Sequence, residues 1–235
     1  MTDHPTPADW LSGGIPQSDD PKVLAKRRLA AAIRRIIERL PQTDAPAGEL
    51  SVAADAAEAF GDRLDALLPE RRWLYEGASE TAVAGNPSMF FDRSPIIGLA
   101  NPLAPPVRME VVGSGEDRHV EGKATFTAAY EGPPNSVHGG FVACAFDEVL
   151  GMAQSLSGSI GMTGTLTIVY RSPTPLYEEV RFRGWHDRVE GRKIFVKGSL
   201  HAGERLCAEA DGIFISVDVS KFMTMMSERD QRPPS

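Results

Sequence analysis

The sequence predicts an α+β fold in which an antiparallel sheet curls around one central helix. The helix is indicated by residues 141–156, whose apolar side chains cover more than one helical face, a pattern typical of a buried helix. Glycines at 191 and 203 separate strand-like runs and indicate hairpin turns. Six runs have the pattern of strands: 103–113, 119–130, 161–171, 178–189, 192–201 and 206–218.

Residues 1–87 precede the sheet and predict a helical extension. Apolar residues recur on one helical face in two stretches, Leu29, Ile33, Ile36, Ile37 and Leu40, then Leu50, Ala53, Ala57, Phe60 and Leu64. Residues 41–48 link the two helices. We expect the first helix to bury its apolar face against the sheet domain. The chain therefore divides into a partly flexible extension (1–87), a sheet domain (88–222) and a flexible tail (223–235).

The predicted central helix follows the segment His138-Gly139-Gly140 and carries two charged residues, Asp147 and Glu148. A helix N-terminus offers free backbone N–H groups, and a carboxylate in an apolar helix is costly unless it is paired or faces a cleft. Asp147 is therefore a candidate functional residue, whereas we expect Glu148 to face the surface. The threonines in the next strand-like run, 161–171, indicate by themselves only an ordinary strand.

Composition narrows the functional classes. The chain has 235 residues, 42% of them hydrophobic, and a net charge of -7, which argues against general nucleic-acid binding. The sequence has no run of 18 uncharged apolar residues, so it predicts no membrane span. The N-terminal residues lack the pattern of a secretory signal, and we therefore expect a cytoplasmic protein. Two cysteines give no disulfide framework, and Cys144 is expected to be a buried core thiol. We expect no metal.

A set of motifs extends across residues 88–222. The motifs are Gly132-Pro133-Pro134, Val137-His138-Gly139-Gly140, Asp147 nine positions after the histidine, Gly151, Met162-Thr163, and Val189-Glu190-Gly191-Arg192-Lys193. Together they resemble the acyl-coenzyme A thioesterases of the hot-dog superfamily. Within the group named after the phenylacetate-pathway thioesterase, the resemblance is closest to the branch called thioesterase superfamily members 4 and 5.

This resemblance implies a hot-dog fold and hydrolysis of fatty acyl-coenzyme A to free acid and coenzyme A. No separate cofactor is implied, because coenzyme A is part of the substrate. It also implies a homodimer or homotetramer with active sites at a subunit interface. Gly139 and Gly140 would donate N–H groups to the oxyanion, and Asp147 would act as general base or nucleophile. His138 would shape the helix start, and Thr163 would orient the water or the carboxylate.

Substrate contacts are predicted at three further positions. Arg192 and Lys193 are candidates for gripping the phosphates of coenzyme A. Many members of the broader group have an asparagine six residues before the histidine, where this chain has Gly132. Asn135 is a candidate replacement, with an ordinary turn residue as the alternative.

Helix geometry constrains how these residues act together. Gly139 and Asp147 are eight residues apart, about 12 Å along one helix, whereas attack on a carbonyl needs reacting atoms about 3 to 3.5 Å apart. If both are catalytic, one subunit must supply the helix N-terminus and the other the carboxylate.

Two other functions stay open. A non-catalytic acyl-coenzyme A or acyl-carrier binding protein, or a scaffold protein, would have the same fold. A hydratase of this fold would need a closely spaced Asp and His in one chain, which the sequence does not show around Asp147. For the basic first helix, contact with a membrane or an acyl carrier is the alternative to packing.

Overall fold

The computed structural model describes residues 17–68 and 91–217. Helices α1 (Pro21–Arg39) and α2 (Ala47–Asp65) come first, joined through a short 3-10 turn at Leu40–Gln42. Helix α1 begins where the Asp20 side chain accepts the Lys22 N–H, with Pro21 in the first turn, where no N–H is needed. Among the described residues, no helix is long and apolar enough to cross a membrane.

A six-stranded antiparallel sheet and one long helix form the rest of the described chain. Its elements are β1 (Arg108–Val112), β2 (His119–Thr125), α3 (Gly139–Ser155), β3 (Gly161–Tyr170), β4 (Glu179–Glu190), β5 (Lys193–Ala202) and β6 (Arg205–Ser216). The strands are ordered β1-β2-β4-β5-β6-β3, so β1 and β3 form the two edges. This architecture, with helices N-terminal to it, confirms the predicted fold class.

Helix α3 packs its apolar side chains on the sheet. Val149 and Leu150 are fully buried, and the Phe146 ring meets Phe182 of β4 edge to face, with centroids 5.3 Å apart. Close approach depends on glycine in β4, because a Cβ on Gly184 would lie 2.9 Å from a Val149 methyl carbon. The helix therefore has one face fixed against the sheet, which determines which of its side chains point away.

The first two strands are shorter than predicted. The run 103–113 becomes a strand only at Arg108, because Pro105 and Pro106 cannot supply the N–H groups of a ladder. The run 119–130 leaves the sheet after Thr125 and ends in a 3-10 turn at Ala128–Tyr130. The four later strands agree with the prediction to within two residues at each end.

Helix α1 makes polar contacts with the domain. The Arg27 Nε donates to both carboxylate oxygens of Asp92, at 3.0 and 2.9 Å, and Arg34 donates to the backbone oxygens of Ala104 and Asn101. Its predicted apolar face does not all turn inward: Ile36 is 62% exposed and Leu40 61% exposed. The expectation that all five apolar residues pack on the domain is therefore wrong for these two.

The loop before β1 is an anchored part of the core. Phe91, Ile96 and Ile97 are buried, whereas Phe90 lies outside the described residues. The boundary at residues 87 and 88 and the tail at 223–235 also lie outside them, so the domain limits stay a prediction.

Candidate active site

The N-terminus of α3 is shaped by His138. Its backbone N–H donates to the Tyr130 carbonyl at 2.8 Å, and its Nδ1 accepts the Gly140 N–H at 3.0 Å, so the imidazole caps the helix. The Gly140 N–H is thereby engaged, and the expectation that it serves as a second oxyanion donor needs correction. The Gly139 N–H has no acceptor among the described residues. It is the free donor at the positive end of the helix dipole.

Tyr170, which sequence reasoning missed, holds this same helix end. Its hydroxyl donates to the Gly139 carbonyl at 2.8 Å, and a Cβ on Gly139 would lie 3.2 Å from that hydroxyl oxygen. Tyr170 is the last residue of β3 and belongs to none of the motifs identified in the sequence. A strand pattern alone gives no register against α3, so no signal in the sequence pointed to this pair.

Asp147 lies on the outer face of α3. Thr163, on β3, donates its hydroxyl hydrogen to Asp147 Oδ1 at 2.8 Å, and both side chains are exposed. Thr163 precedes a bulge in the pairing of β3 with β6, which re-aims side chains locally. The expectation of apolar surroundings for this carboxylate is not met within one chain. The pair is instead open to a water or a ligand.

Glu148 is the carboxylate that the fold shields, contrary to the expectation that it faces the surface. It accepts the Ser94 hydroxyl, whose oxygen in turn accepts the N–H groups of Ile96 and Ile97, each at 3.1 Å. Burial raises the pKa of Glu148; the Ser94 hydrogen bond opposes this shift and the nearby Asp147 adds to it. Neither the burial nor Ser94 was visible in the sequence, because the contact spans 54 residues.

The exposed surface of α3 continues onto β3. Gly140, Cys144 and Asp147 form one exposed helical stripe, so Cys144 is not the buried core thiol that was expected. Beside it, edge strand β3 exposes Met162 (56%) and Tyr170 (53%). Apolar side chains and unpaired strand edges at such a surface commonly mark a protein contact.

The predicted phosphate-binding residues lie at the Thr163 end of the sheet. Arg192 follows the turn glycine, and its Nη2 donates to the Ser216 carbonyl at 3.2 Å. Lys193 pairs in register with Ile215, which in turn pairs with Met162, next to Thr163. Both basic side chains are exposed.

Asn135 occupies the turn before α3. It adopts a left-handed conformation with φ 59°, and its N–H donates to the Glu131 carboxylate at 2.7 Å. A side chain at Gly132 would not fit this backbone without a shift, because a Cβ would lie 2.7 Å from the His138 Cα.

Within one chain the two halves of the site lie apart. The Gly139 end of α3 contacts Tyr170, and the Asp147 end contacts Thr163. Thr163 and Tyr170 are seven residues apart on β3, a distance on the order of 20 Å along an extended strand.

No three His, Cys, Asp or Glu side chains in the described ranges cluster as a metal site would require.

The chain is similar in sequence and structure to proteins of the thioesterase superfamily. The family model of the thioesterase superfamily matches residues 134–209. The crystal structure of a thioesterase superfamily protein is similar with a TM-score of 0.70 and 30% identity, covering 86% of this chain and 99% of that one.

Curated relatives match a shorter region. Acyl-coenzyme A thioesterase THEM4 of Mus musculus is 34% identical over 96 residues, which is 40% of this chain and 41% of the mouse protein. THEM4 of Xenopus laevis is 37% identical over 90 residues, covering 37% of this chain and 40% of the frog protein. The match thus spans about two-fifths of the length of these relatives.

Proposed function

Because this chain belongs to the thioesterase superfamily, we propose that it hydrolyses acyl-coenzyme A thioesters to a free acid and coenzyme A. The membership confirms the resemblance seen in the sequence. The observation that carries the proposal is the Thr163 hydroxyl holding an exposed Asp147 carboxylate on the same helix that begins with a free Gly139 N–H. The name of the THEM4 relatives supports acyl-coenzyme A as the substrate class.

The oxyanion is stabilised at the start of α3. The thioester carbonyl oxygen accepts the Gly139 N–H, and the helix dipole favours the negative charge that develops on it. Since the Gly140 N–H is bound to His138, Gly139 is the donor on which this role rests. His138 acts by fixing the helix end, and Tyr170 holds the Gly139 carbonyl from the other side.

Asp147 supplies the second half of the chemistry. As a general base, it takes a proton from water, whose oxygen attacks the carbonyl carbon; the resulting oxyanion collapses, the C–S bond breaks and the thiolate leaves. As a nucleophile, its carboxylate attacks the same carbon and the C–S bond breaks with loss of the thiolate, which gives a mixed anhydride that water then hydrolyses. In both routes the Thr163 hydrogen bond fixes the direction of the carboxylate.

The two halves meet between two copies of the chain. A carbonyl cannot contact both Gly139 and Asp147 of one helix, about 12 Å apart along the axis. The exposed α3 stripe and the exposed edge of β3 provide a face on which a second copy can pack. In the resulting homodimer, which a homotetramer would also contain, each site takes Gly139 from one chain and Asp147 and Thr163 from the other.

Arg192 and Lys193 complete the proposed site as contacts for the coenzyme A phosphates. They lie at the same sheet end as Thr163 of their own chain, so they would flank the carboxylate half. Asn135 lies in the turn that leads into α3 and is the proposed substrate contact on the other half.

Free-thiol release from a panel of acyl-coenzyme A esters tests the proposal, with chain lengths from acetyl to long fatty acyl. Turnover of at least one ester, abolished in Asp147→Asn, is the expected result. Binding of acyl-coenzyme A without thiol release from any ester would overturn hydrolysis in favour of a binding or scaffold role.

A further inference from the structure

Within the described part of the chain, helix α2 packs its side chains against no other element closely enough to bury them. None of its 19 residues is buried, and a Cβ added at Gly48 or Gly61 would meet nothing within 4 Å. Its N-cap position is Pro46, which makes no side-chain cap hydrogen bond. A helix of this length with two glycines and no cap is marginal in water, so its stability has to come from packing.

The exposed side chains of α2 are patterned for such packing. Leu50, Ala53, Ala57, Phe60 and Leu64 recur every three or four residues and form one apolar stripe. Leu50 and Leu64 are each 39% exposed. The helix is acidic, with five carboxylates and one arginine between residues 47 and 65.

Helix α1 carries a complementary surface on the side that faces away from the domain. An open groove of about 450 Å³ is lined by Ala32, Arg35, Ile36, Arg39, Leu40 and Thr43. Its apolar members include the exposed Ile36 and Leu40, and two arginines flank them. The helix is basic, with seven Lys or Arg residues and one Glu between residues 21 and 39.

We propose that α2 of one copy packs into this α1 groove of a second copy. An apolar stripe flanked by Glu49 and Asp65 then meets an apolar groove flanked by guanidinium groups, so both exposed apolar surfaces are covered and charges of opposite sign are brought together. We take a second copy as the occupant because its α2 offers this complementary surface, whereas α2 of the same chain leaves the groove open among the described residues. The exchange is reciprocal, as in a two-fold assembly, with each copy donating one helix and receiving one.

Disulfide trapping in the full-length chain tests this contact. In a Cys144→Ser background, two differently tagged chains are co-expressed, one with Ile36→Cys and the other with Ala57→Cys in the α2 stripe. We expect a cross-linked heterodimer in at least about tenfold higher yield than with Asp55→Cys, the matched control on the opposite face of α2. The yield should not fall on dilution, because the contact belongs to a stable assembly.

Two further measurements identify the occupant and the role of charge. A chain carrying both Ile36→Cys and Ala57→Cys should form the bond between chains; a bond only within one chain would overturn the proposal in favour of α2 folding back. Arg35→Glu with Arg39→Glu should lower the inter-chain yield about tenfold, and Glu49→Lys with Asp65→Lys on the other chain should restore it. A yield no higher than the Asp55→Cys control would show that α2 does not occupy the groove.

Discussion

Thr163 donates its hydroxyl hydrogen to the Asp147 carboxylate at 2.8 Å, joining the edge strand β3 to the outer face of helix α3 across 16 residues of sequence. The bond lies where the pairing of β3 with β6 shifts, between Thr163 and Thr165. The direction of the Asp147 carboxylate therefore depends on the local shape of an exposed strand edge.

Replacing Asp147 by asparagine should lower turnover by at least about 100-fold, the low end for loss of a positioned base or nucleophile. Substrate binding and folding should persist, because the side chain is exposed and similar in size. Initial rates of thiol release and a melting curve measure both. Glu148→Gln is the matched control, since it removes the adjacent carboxylate and should change turnover by less than about tenfold. Near-normal turnover in Asp147→Asn would contradict the mechanism.

Thr163→Val should lower turnover by roughly tenfold or more, because the hydrogen bond it removes has a charged acceptor. Valine keeps the branched shape that suits a strand, so the sheet should be unaffected. Thr163→Ser keeps the hydroxyl and should retain most of the activity. Near-normal turnover in Thr163→Val together with a loss in Thr163→Ser, measured as kcat and KM separately, would show that the methyl group rather than the hydroxyl matters.

Much of this fold follows from local patterns in the sequence. The period of two in the strands after residue 160 and the turn glycines predict four strands closely. Three of them, β4, β5 and β6, are joined by hairpins, so each pairs with its neighbour in sequence. The first strands were placed less well, because the prolines at 105 and 106 interrupt an otherwise apolar run. Charge and burial were least predictable in α3.

The reason lies in contacts between residues distant in sequence. Asp147 and Glu148 are neighbours on a nearly uniform apolar helix, so the sequence cannot tell which faces the loop at residue 94 and which faces outward. The same limit hid Tyr170, whose contact with Gly139 depends on how β3 crosses the helix start. By contrast, the separation of Gly139 and Asp147 followed directly from helical rise.

The half-buried carboxyl of Glu148 should make the free energy of unfolding fall as pH rises. Burial raises the pKa of Glu148 in the folded protein above the ordinary 4.5. Between pH 4.5 and this raised pKa, the folded state keeps a proton that the unfolded state loses. Stability should therefore decline from about pH 4.5 upward until the raised pKa is passed. Denaturant unfolding of the wild type and Glu148→Gln at pH 5 and pH 8 measures this. The variant should lose less stability between the two, and identical pH dependence would count against the burial of this group.

Asp92→Asn should lower the free energy of unfolding by about 3 kcal/mol, because it removes the negative charge that pairs with the shielded Arg27 guanidinium. The two side chains of this pair are 8% and 11% exposed. Glu209→Gln, which breaks an ion pair whose side chains are 45% and 53% exposed, is the control and should cost less than about 1 kcal/mol. Chemical denaturation of both variants at one pH provides the comparison. Equal effects would mean that the Arg27 pair does not fix α1 to the domain.

Mixing two inactive chains should restore activity if each site is shared between two copies. One chain carries Asp147→Asn. The other carries Gly139→Pro, which removes the free N–H while proline remains acceptable in the first turn of a helix. In the heterodimer, one site takes the Gly139 N–H from the first chain and Asp147 with Thr163 from the second, and it is intact. Thiol release should approach half the wild-type rate per heterodimer.

Gly139→Ala is the control for crowding, because it keeps the N–H yet places a Cβ 3.2 Å from the Tyr170 hydroxyl oxygen. If Gly139→Ala is as inactive as Gly139→Pro, the loss comes from the added carbon rather than from the missing N–H. A second control mixes Asp147→Asn with Thr163→Val chains; because both substitutions lie in the same half of the site, the mixture should show no more than the residual rate of the Thr163→Val chain. Activity well above that residual rate, or none from verified, folded heterodimers of the first pair, would show that Gly139 and Asp147 do not serve one site from two chains.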